Sequence, residues 1–567
     1  MYRVSACWIA LLLPVLGQAD SDWAPRQVDG EGAEVLPFEV RPAPELDSGK
    51  DHSRVLVGQL RTIRLEGGGD GLPGYATFVT PAIGTVEVGG LAVPKREELV
   101  SACGAFLGAP LTEHRLDRLT DTILAHYQEN GRPVVDILVP EQDFAEGALR
   151  ITVLEGRVGK LVLQHSEYFN TELLSRSVWV RPGDEITTTA LQEQLDWLSR
   201  NPFRAAGLYA SPGEEPAVGD FVITLDGVRP WRVYLGYENT GTEAAGEDRY
   251  FLGGNHGNLF GLDHQLGYQF TMSGSPDEFQ AHSIAYEIPL HQQHYFLRFN
   301  GTWQEVEATS EVAGLPLEVE GETLELYFAV GRPLPRVGGL THELALGVEV
   351  KNADSFLSFG GVSLFGDEVD IVQARLDYRA SGEWGKNRMA LWAAVVASPG
   401  GLTGQNNDED FEAIRPGAQA DYLYALARAD WFRRLGAEWS LRVTAEAQIS
   451  SQELLPIEQF SLGGYETVRG FDERIYLADS GIAVSTELRS PAFELPEEVP
   501  GKVTVQLLGF LDHATGWRDF DDDESFTGAG FGGRARLGDT GTLRADLGWP
   551  LSEGGSPRAH LGFQLSF

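Results

Sequence analysis

The chain has 567 residues, with 83 acidic against 44 basic side chains and a formal charge of −39. That balance argues against nucleic acid or any other extended polyanion as a partner. Beyond the N-terminus no run approaches about 18 apolar residues, which excludes helical membrane spans but not a β-barrel, whose strands need only about 9–11 residues each.

Met1 to Ala19 reads as a secretory signal peptide: Arg3 is the basic start, Val4 to Leu16 the apolar core, and Gly17-Gln18-Ala19 the cleavage segment. The alternative, a membrane anchor, needs about 20 apolar residues, more than this run supplies. Removal of the peptide takes Cys7 with it. Cys103 is then alone, so neither an intramolecular disulfide nor a cysteine metal cluster can form. A buried small hydrophobe is the expected role of Cys103, in preference to a nucleophile.

Residues 20–54 are rich in Asp, Glu, Pro and Gly and hold no period, as expected of a flexible leader. Val55 to Glu66 alternates loosely like a strand, and Gly67 to Gly90 is glycine-rich and reads as an insertion. A helix is expected over Lys95 to Phe106. A second begins at the capping residue Thr112, carries Leu116, Leu119, Ile123 and Tyr127 on one stripe, and ends at Gly131. Two strands follow at Val134–Val139 and Ala148–Leu154. A second cycle has a strand at Val158–Gln164, helices at Glu172–Ser177 and Thr188–Ser199, and a closing strand pair at Tyr209–Ser211 and Phe221–Leu225. Two small α+β modules result, neither with groups at catalytic or metal-ligand spacing.

From Trp231 the texture changes to alternating segments separated by turns. In Ala437 to Ser450, Ala437, Trp439, Leu441, Val443, Ala445, Ala447 and Ile449 share one face and polar residues the other. Sixteen such strands are expected, at 231–240, 250–258, 264–273, 279–290, 293–306, 321–331, 340–351, 366–380, 386–399, 416–430, 435–451, 480–492, 502–513, 525–537, 541–549 and 558–567. A face bearing Arg, Glu, Asp and Gln is too polar for a dry core but suits a hydrated lumen, with the apolar face against outer-membrane lipid. A soluble two-sheet sandwich is the competing architecture. Strand length, the even strand number and the signal peptide favour the membrane barrel.

Between the strands ending near Ser451 and starting near Ser480 lies a long polar connection containing Leu462-Gly463-Gly464 and Val468-Arg469-Gly470-Phe471. The chain ends in a strand, His560 to Phe567, that alternates and stops on an aromatic. These features, with the Leu138–Asp143 and Glu155-Gly156 junction and Phe510-Leu511-Asp512, resemble the two-partner secretion transporters of the outer membrane, the haemolysin and filamentous-haemagglutinin secretion/activation proteins.

The resemblance implies two periplasmic POTRA domains, 55–156 and 157–229, and a sixteen-stranded transmembrane barrel, 230–567, with a loop around 454–479 folding into it. It implies that Arg469 anchors this loop by meeting Asp512, with Val468, Gly470, Phe471, Gly463 and Gly464 shaping it, and that Phe567 ends a signal read by the barrel-assembly machinery. Periodicity agrees in part: Val503, Val505, Leu507, Gly509 and Leu511 take the lipid phase, leaving Asp512 on the lumen phase. Glu487 and Arg489 on the preceding strand are rival partners. The implied function is export of a large, Sec-delivered, β-helical partner protein to the surface or medium, with no cofactor, no metal, no catalytic residues and no nucleic acid. The glycine runs agree in lacking the P-loop lysine and Ser/Thr. Alternatives are a barrel-protein assembly factor of related architecture and, from another class, a diffusion porin or receptor. Residues 20–55 offer no persuasive amphipathic helix to match the helix that plugs the pore in many family members. Asp521-Asp522-Asp523-Glu524 reads as a solvated loop.

Overall fold

The computed structural model describes residues 54–68, 75–80, 84–144, 146–243, 245–312, 315–359, 362–496, 502–518, 522–552 and 554–567. The expected signal peptide, residues 20–53 of the leader, and Asp521 lie outside them. The described residues form two compact units, one ending at Val228 and the other starting at Arg229.

In the first unit, the strands Thr62–Gly67, Ala148–Glu155 and Val135–Leu138 belong to a five-stranded sheet. The glycine-rich stretch, expected only as an insertion, contributes the other two strands, Tyr75–Thr80 and Gly84–Gly89. Gly84–Gly89 pairs parallel to Thr62–Gly67, and its Val86 and Val88 are buried in the same core. Period-two burial there is carried by two valines among glycines, too short a signal to separate from a loop. The helices Arg96–Gly104 and Glu113–Glu129 cover this sheet, burying Leu99, Leu119, Ile123 and Tyr127 against Ile63, Leu65, Leu149 and Ile151. The second helix starts where expected, with the Thr112 hydroxyl accepting the Arg115 N–H at 3.2 Å.

Cys103 is fully buried in that core, and burial pushes its thiol from 9.0 up to about 12. A thiol reagent should therefore leave Cys103 unmodified in the folded protein and modify it on denaturation, read by mass spectrometry; labelling of the native protein would contradict this. The unfolded chain loses this proton near 9.0 and the folded one only near 12. The stabilising preference for the thiol is thus complete below pH 9 and declines above it, by up to ~1.4 kcal/mol per pH unit.

The second module has a three-stranded sheet in which Val218–Gly227 lies between Arg157–Leu163, parallel to it, and Arg204–Pro212, antiparallel. Its helices Thr171–Ser175 and Thr188–Leu198 are capped by Asn170 and Thr187. No linker separates the modules. The strand ending at Glu155 is followed across Gly156 by the strand starting at Arg157. The Asp136 carboxylate accepts the Ala217 N–H at 2.6 Å, and Arg132 pairs with Glu185 at 2.7 Å across the joint.

The second unit is a closed barrel of sixteen antiparallel strands: Trp231–Glu238, Arg249–Leu259, His264–Met272, Phe279–Leu290, Tyr295–Val312, Leu315–Val337, Leu340–Phe359, Val362–Trp384, Asn387–Pro399, Asp421–Arg434, Ser440–Ser450, Ser480–Arg489, Val503–Arg518, Asp522–Leu537, Gly541–Pro550 and Arg558–Ser566. The two-residue strand Phe493–Glu494 prolongs the twelfth along the thirteenth. Closure comes from Tyr234 to Glu238 pairing with Ser566 to Gly562. In the seventh strand Leu344, Leu346, Val348 and Val350 face outward and are exposed, whereas Ala345, Glu349 and Lys351 face the lumen and are buried. The first set makes an apolar outer face, and the ion-paired interior accepts the second.

The fifth to eighth strands are longer than expected, at 18, 23, 20 and 23 residues, because backbone pairing continues beyond the apolar band. Two starts come five residues later than expected. Gly436–Glu438 is a 3-10 turn in which Ala437 and Glu438 have φ of 55° and 63°, so that strand begins only at Ser440. The apolar alternation runs on into the turn because Trp439 sits exposed at the barrel rim. The tenth strand starts at Asp421, since the helix Asp408–Ile414 and the buried Ala418 and Ala420 occupy the preceding loop. Short turns such as 260–263, 338–339 and 538–540 gather at one end of the barrel, the periplasmic end by the usual rule. The connection 451–479 leaves from the other end.

Candidate functional site: a loop locked to the lumen wall

The connection 451–479 folds into a small antiparallel hairpin, Phe460–Leu462 with Tyr476–Ala478. Gly463 and Gly464, with φ of 94° and 87°, turn the chain out of its first strand, and Gly464 bridges to Val468. The hairpin has an apolar side. Leu462, Val468, Phe471 and Ala478 pack against the lumen-facing Ala483, Ala514 and Phe526. Phe471 meets Phe526 edge to face, with ring centroids 5.2 Å apart. Burial of this kind contributes roughly 1.5–3 kcal/mol per large side chain, enough to hold the tip to the wall but not to fix its register.

Register is set by Arg469, whose side chain is only 3% exposed. Its Nε and Nη2 donate to the two oxygens of Asp512 at 2.8 and 2.9 Å, and its backbone N–H donates to the same carboxylate at 3.1 Å. Nη1 donates to Glu487 at 2.7 Å and lies 3.5 Å from Asp546. Nη2 also donates to Ser485 at 3.0 Å, and the Phe510 ring lies under the guanidinium at 3.6 Å. A planar fork with five N–H groups can meet this many acceptors at once; an ammonium cannot.

Around this arginine the charges balance. Arg489 pairs with Glu487 at 2.6 Å, and Arg534 pairs bidentately with Asp546 at 2.7 and 3.0 Å. Three arginines (469, 489, 534) thus stand among three carboxylates (487, 512, 546), all buried. Such a set tolerates desolvation only as a whole: lifting Arg469 out leaves three anions with two cations.

Backbone contact completes the seat. Gly470 has φ of 101°, and its N–H donates to His560 Nε2 at 3.2 Å, which requires the lone pair on that nitrogen. Gly528 has no room for a side chain: a Cβ there would lie 2.0 Å from the Arg469 carbonyl oxygen. A Cβ on Gly548 would lie 2.6 Å from the Gly470 nitrogen. The chain at 469–470 therefore rests directly on two strands stripped of side chains.

Arg469, Asp512 and Glu487 are brought together, and Arg489 reaches Arg469 only through Glu487. Val468, Gly470, Phe471, Gly463 and Gly464 form the hairpin tip. Phe567 lies at the closing seam, where it exchanges backbone hydrogen bonds with Val233 at 2.8 and 3.3 Å. Sequence reasoning missed Gly528, Gly548, Ser485, Asp546 and His560. A signal for the first was present, since Gly528, Gly530 and Gly532 occupy one phase of a strand and leave its lumen face bare.

The model of the haemolysin secretion/activation protein ShlB/FhaC/HecB family matches residues 219–535, and that of the ShlB-type POTRA domain matches residues 82–156. The chain is 22% identical to the outer membrane transporter CdiB of Dickeya dadantii (strain 3937) over 453 residues, 77% of each chain. It is 22% identical to the heme/hemopexin transporter protein HuxB of Haemophilus influenzae (strain 86-028NP) over 405 residues, 69% of each. Its fold is similar to that of CdiB from Escherichia coli, with a TM-score of 0.73 at 17% identity over 94% of each chain. With the family model spanning more than half its length, a closed sixteen-stranded barrel and a POTRA domain before it, the chain belongs to the haemolysin secretion/activation family and is an outer-membrane transporter of two-partner secretion, its POTRA domains in the periplasm.

Proposed function

We propose that the protein exports one large, β-helical partner, delivered unfolded to the periplasm, and that the Arg469 loop governs its passage. The observation that carries this reading is the loop's place. A sixteen-stranded barrel is wide enough for an aqueous channel, and here the loop occupies that lumen, tied to its wall by a buried arginine. An exported chain must share the lumen with the loop or displace it.

On this reading the POTRA modules receive the partner as an extended chain. Arg204–Pro212 is an edge strand paired on one side only among the described residues and carries Tyr209, 65% exposed, and an added strand could bond to its open backbone. The outward apolar residues contact membrane lipid, and the terminal strand ending in Phe567 serves insertion by the barrel-assembly machinery. No nucleotide is needed, as folding of the partner outside the cell supplies the direction.

Deletion of the gene, followed by comparison of surface and culture-fluid proteins, tests the reading. One large protein should vanish from the exterior and be retained or degraded in the periplasm. If solute uptake changes instead and no exported protein is lost, a diffusion porin replaces this reading. If many barrel proteins are lost together, an assembly factor does.

A further inference from the structure

The loop has a second buried attachment, at its stem. Glu458, whose side chain is 1% exposed, pairs with Lys351 at 2.7 Å. Tyr424 Oη donates to the same carboxylate at 2.5 Å, and the Glu458 carbonyl accepts from Gln448 Nε2 at 2.9 Å. Beside it Leu454, Leu455 and Ile457 of the stem pack with Phe411 of the Asp408–Ile414 helix against Tyr422, Tyr424 and Val396 of the wall. Lys351 is on the seventh strand, whereas the Arg469 partners Glu487, Asp512 and Asp546 are on the twelfth, thirteenth and fifteenth. The loop is therefore a strut fixed to separate parts of the lumen wall, by an anion at one end and a cation at the other.

The two ends are not equivalent. Withdrawing Arg469 breaks a balanced set of three cations and three anions. Around Glu458 the balance is different: Lys351 also has Glu325 and Glu349 at 3.9 Å each, and Arg375 faces Glu349 at 3.5 Å and Asp377 at 3.1 Å. Lys351 thus stands among three carboxylates, and removal of Glu458 leaves two of them still beside it. The stem is therefore the end that can let go at the smaller electrostatic cost, because Lys351 keeps two carboxylates beside it when Glu458 leaves, whereas Asp512 loses its bidentate partner when Arg469 leaves.

We propose that Glu458 is a positioning residue acting as a latch. Its release from Lys351 and Tyr424 opens a passage along the wall made by the seventh to tenth strands, while Arg469 stays seated. This rests on the export reading given above, and its electrical test does not.

In planar bilayers Glu458→Gln should raise the fraction of time spent in large-conductance states by about tenfold, the change expected when a modest bias toward the closed state is removed. Lys351→Met should do the same, and Glu458→Gln added to Lys351→Met should change little further, because the two residues act through one contact. Heat-modifiable electrophoretic mobility shows whether each barrel is closed. Should Glu458→Gln fail to insert, Tyr424→Phe, which removes only the hydroxyl, should move conductance in the same direction by a smaller factor. Conductance equal to the parent's in the folded variants would overturn the latch, and so would full additivity of the two substitutions.

In cells, Glu458→Cys with Lys351→Cys, joined by a reducible bifunctional thiol reagent, should stop export until the link is reduced. Buried Cys103 leaves this reaction undisturbed. Export that continues through the linked barrel overturns the latch. Absence of any exported protein from the unsubstituted parent overturns the export reading instead, and the bilayer measurement then decides the latch alone.

Discussion

Arg469→Ala should yield a barrel that inserts and closes but exports almost nothing. The sixteen-strand ladder draws on none of this side chain's hydrogen bonds, so heat-modifiable mobility should match the parent's. The lumen set suffers. Asp512, Glu487 and Asp546, all buried, are left with Arg489 and Arg534. Removing one partner of a buried ion pair costs about 3–5 kcal/mol, which corresponds to roughly two to three and a half powers of ten in the population of the seated tip. Arg469→Lys should recover little. A lysine offers one point charge where two oxygens of Asp512, one of Glu487 and the Ser485 hydroxyl are engaged together. Immunoblotting of the exported partner in the culture fluid, normalised to folded barrel, is the measurement. Undiminished export by Arg469→Ala would remove the role proposed for this residue, and failure to insert would make it a residue of assembly.

Gly528→Ala should impair export with Arg469 and all its acceptors intact. The new methyl would stand 2.0 Å from the Arg469 carbonyl oxygen, and the obstructing atom is backbone, with no rotamer to change. Relief needs a retreat of more than about 1 Å by the hairpin tip, and overpacking of this kind typically costs about 1–3 kcal/mol. A guanidinium displaced that far cannot keep both Asp512 and Glu487 at bonding distance. Protease accessibility of the 463–472 segment in intact cells should rise in parallel. Gly509→Ala is the control: it lies on the lipid phase of the neighbouring strand, where a Cβ meets nothing closer than 3.8 Å. Equal behaviour of the two variants would show that the bare glycine face is not a seat for the loop.

What the sequence determined by itself was everything governed by a local period. An apolar outer face and a polar lumen face force alternation on each strand. All sixteen strands could therefore be placed, and Asp512 and Glu487 assigned to the lumen, from residue order alone. Helix starts were equally readable, because a cap such as Thr112 acts within three residues.

The tertiary structure decided which lumen groups meet. Arg469 draws on strands whose residues lie 16 to 90 positions away, from Ser485 to the His560 that holds the adjoining Gly470. Which of these come within 3 Å depends on the stagger of the closed barrel and on how the hairpin folds, and no short-range pattern encodes either. For the same reason Asp512 and Glu487, rivals when read along the chain, are joint partners in space. Glu458 was invisible as a second anchor, since its lysine is 107 residues away on the seventh strand. In the glycine-rich stretch before the first helix, Gly84–Gly89 pairs with Thr62–Gly67 and Tyr75–Thr80 in turn with Gly84–Gly89, pairings that the short local pattern does not name.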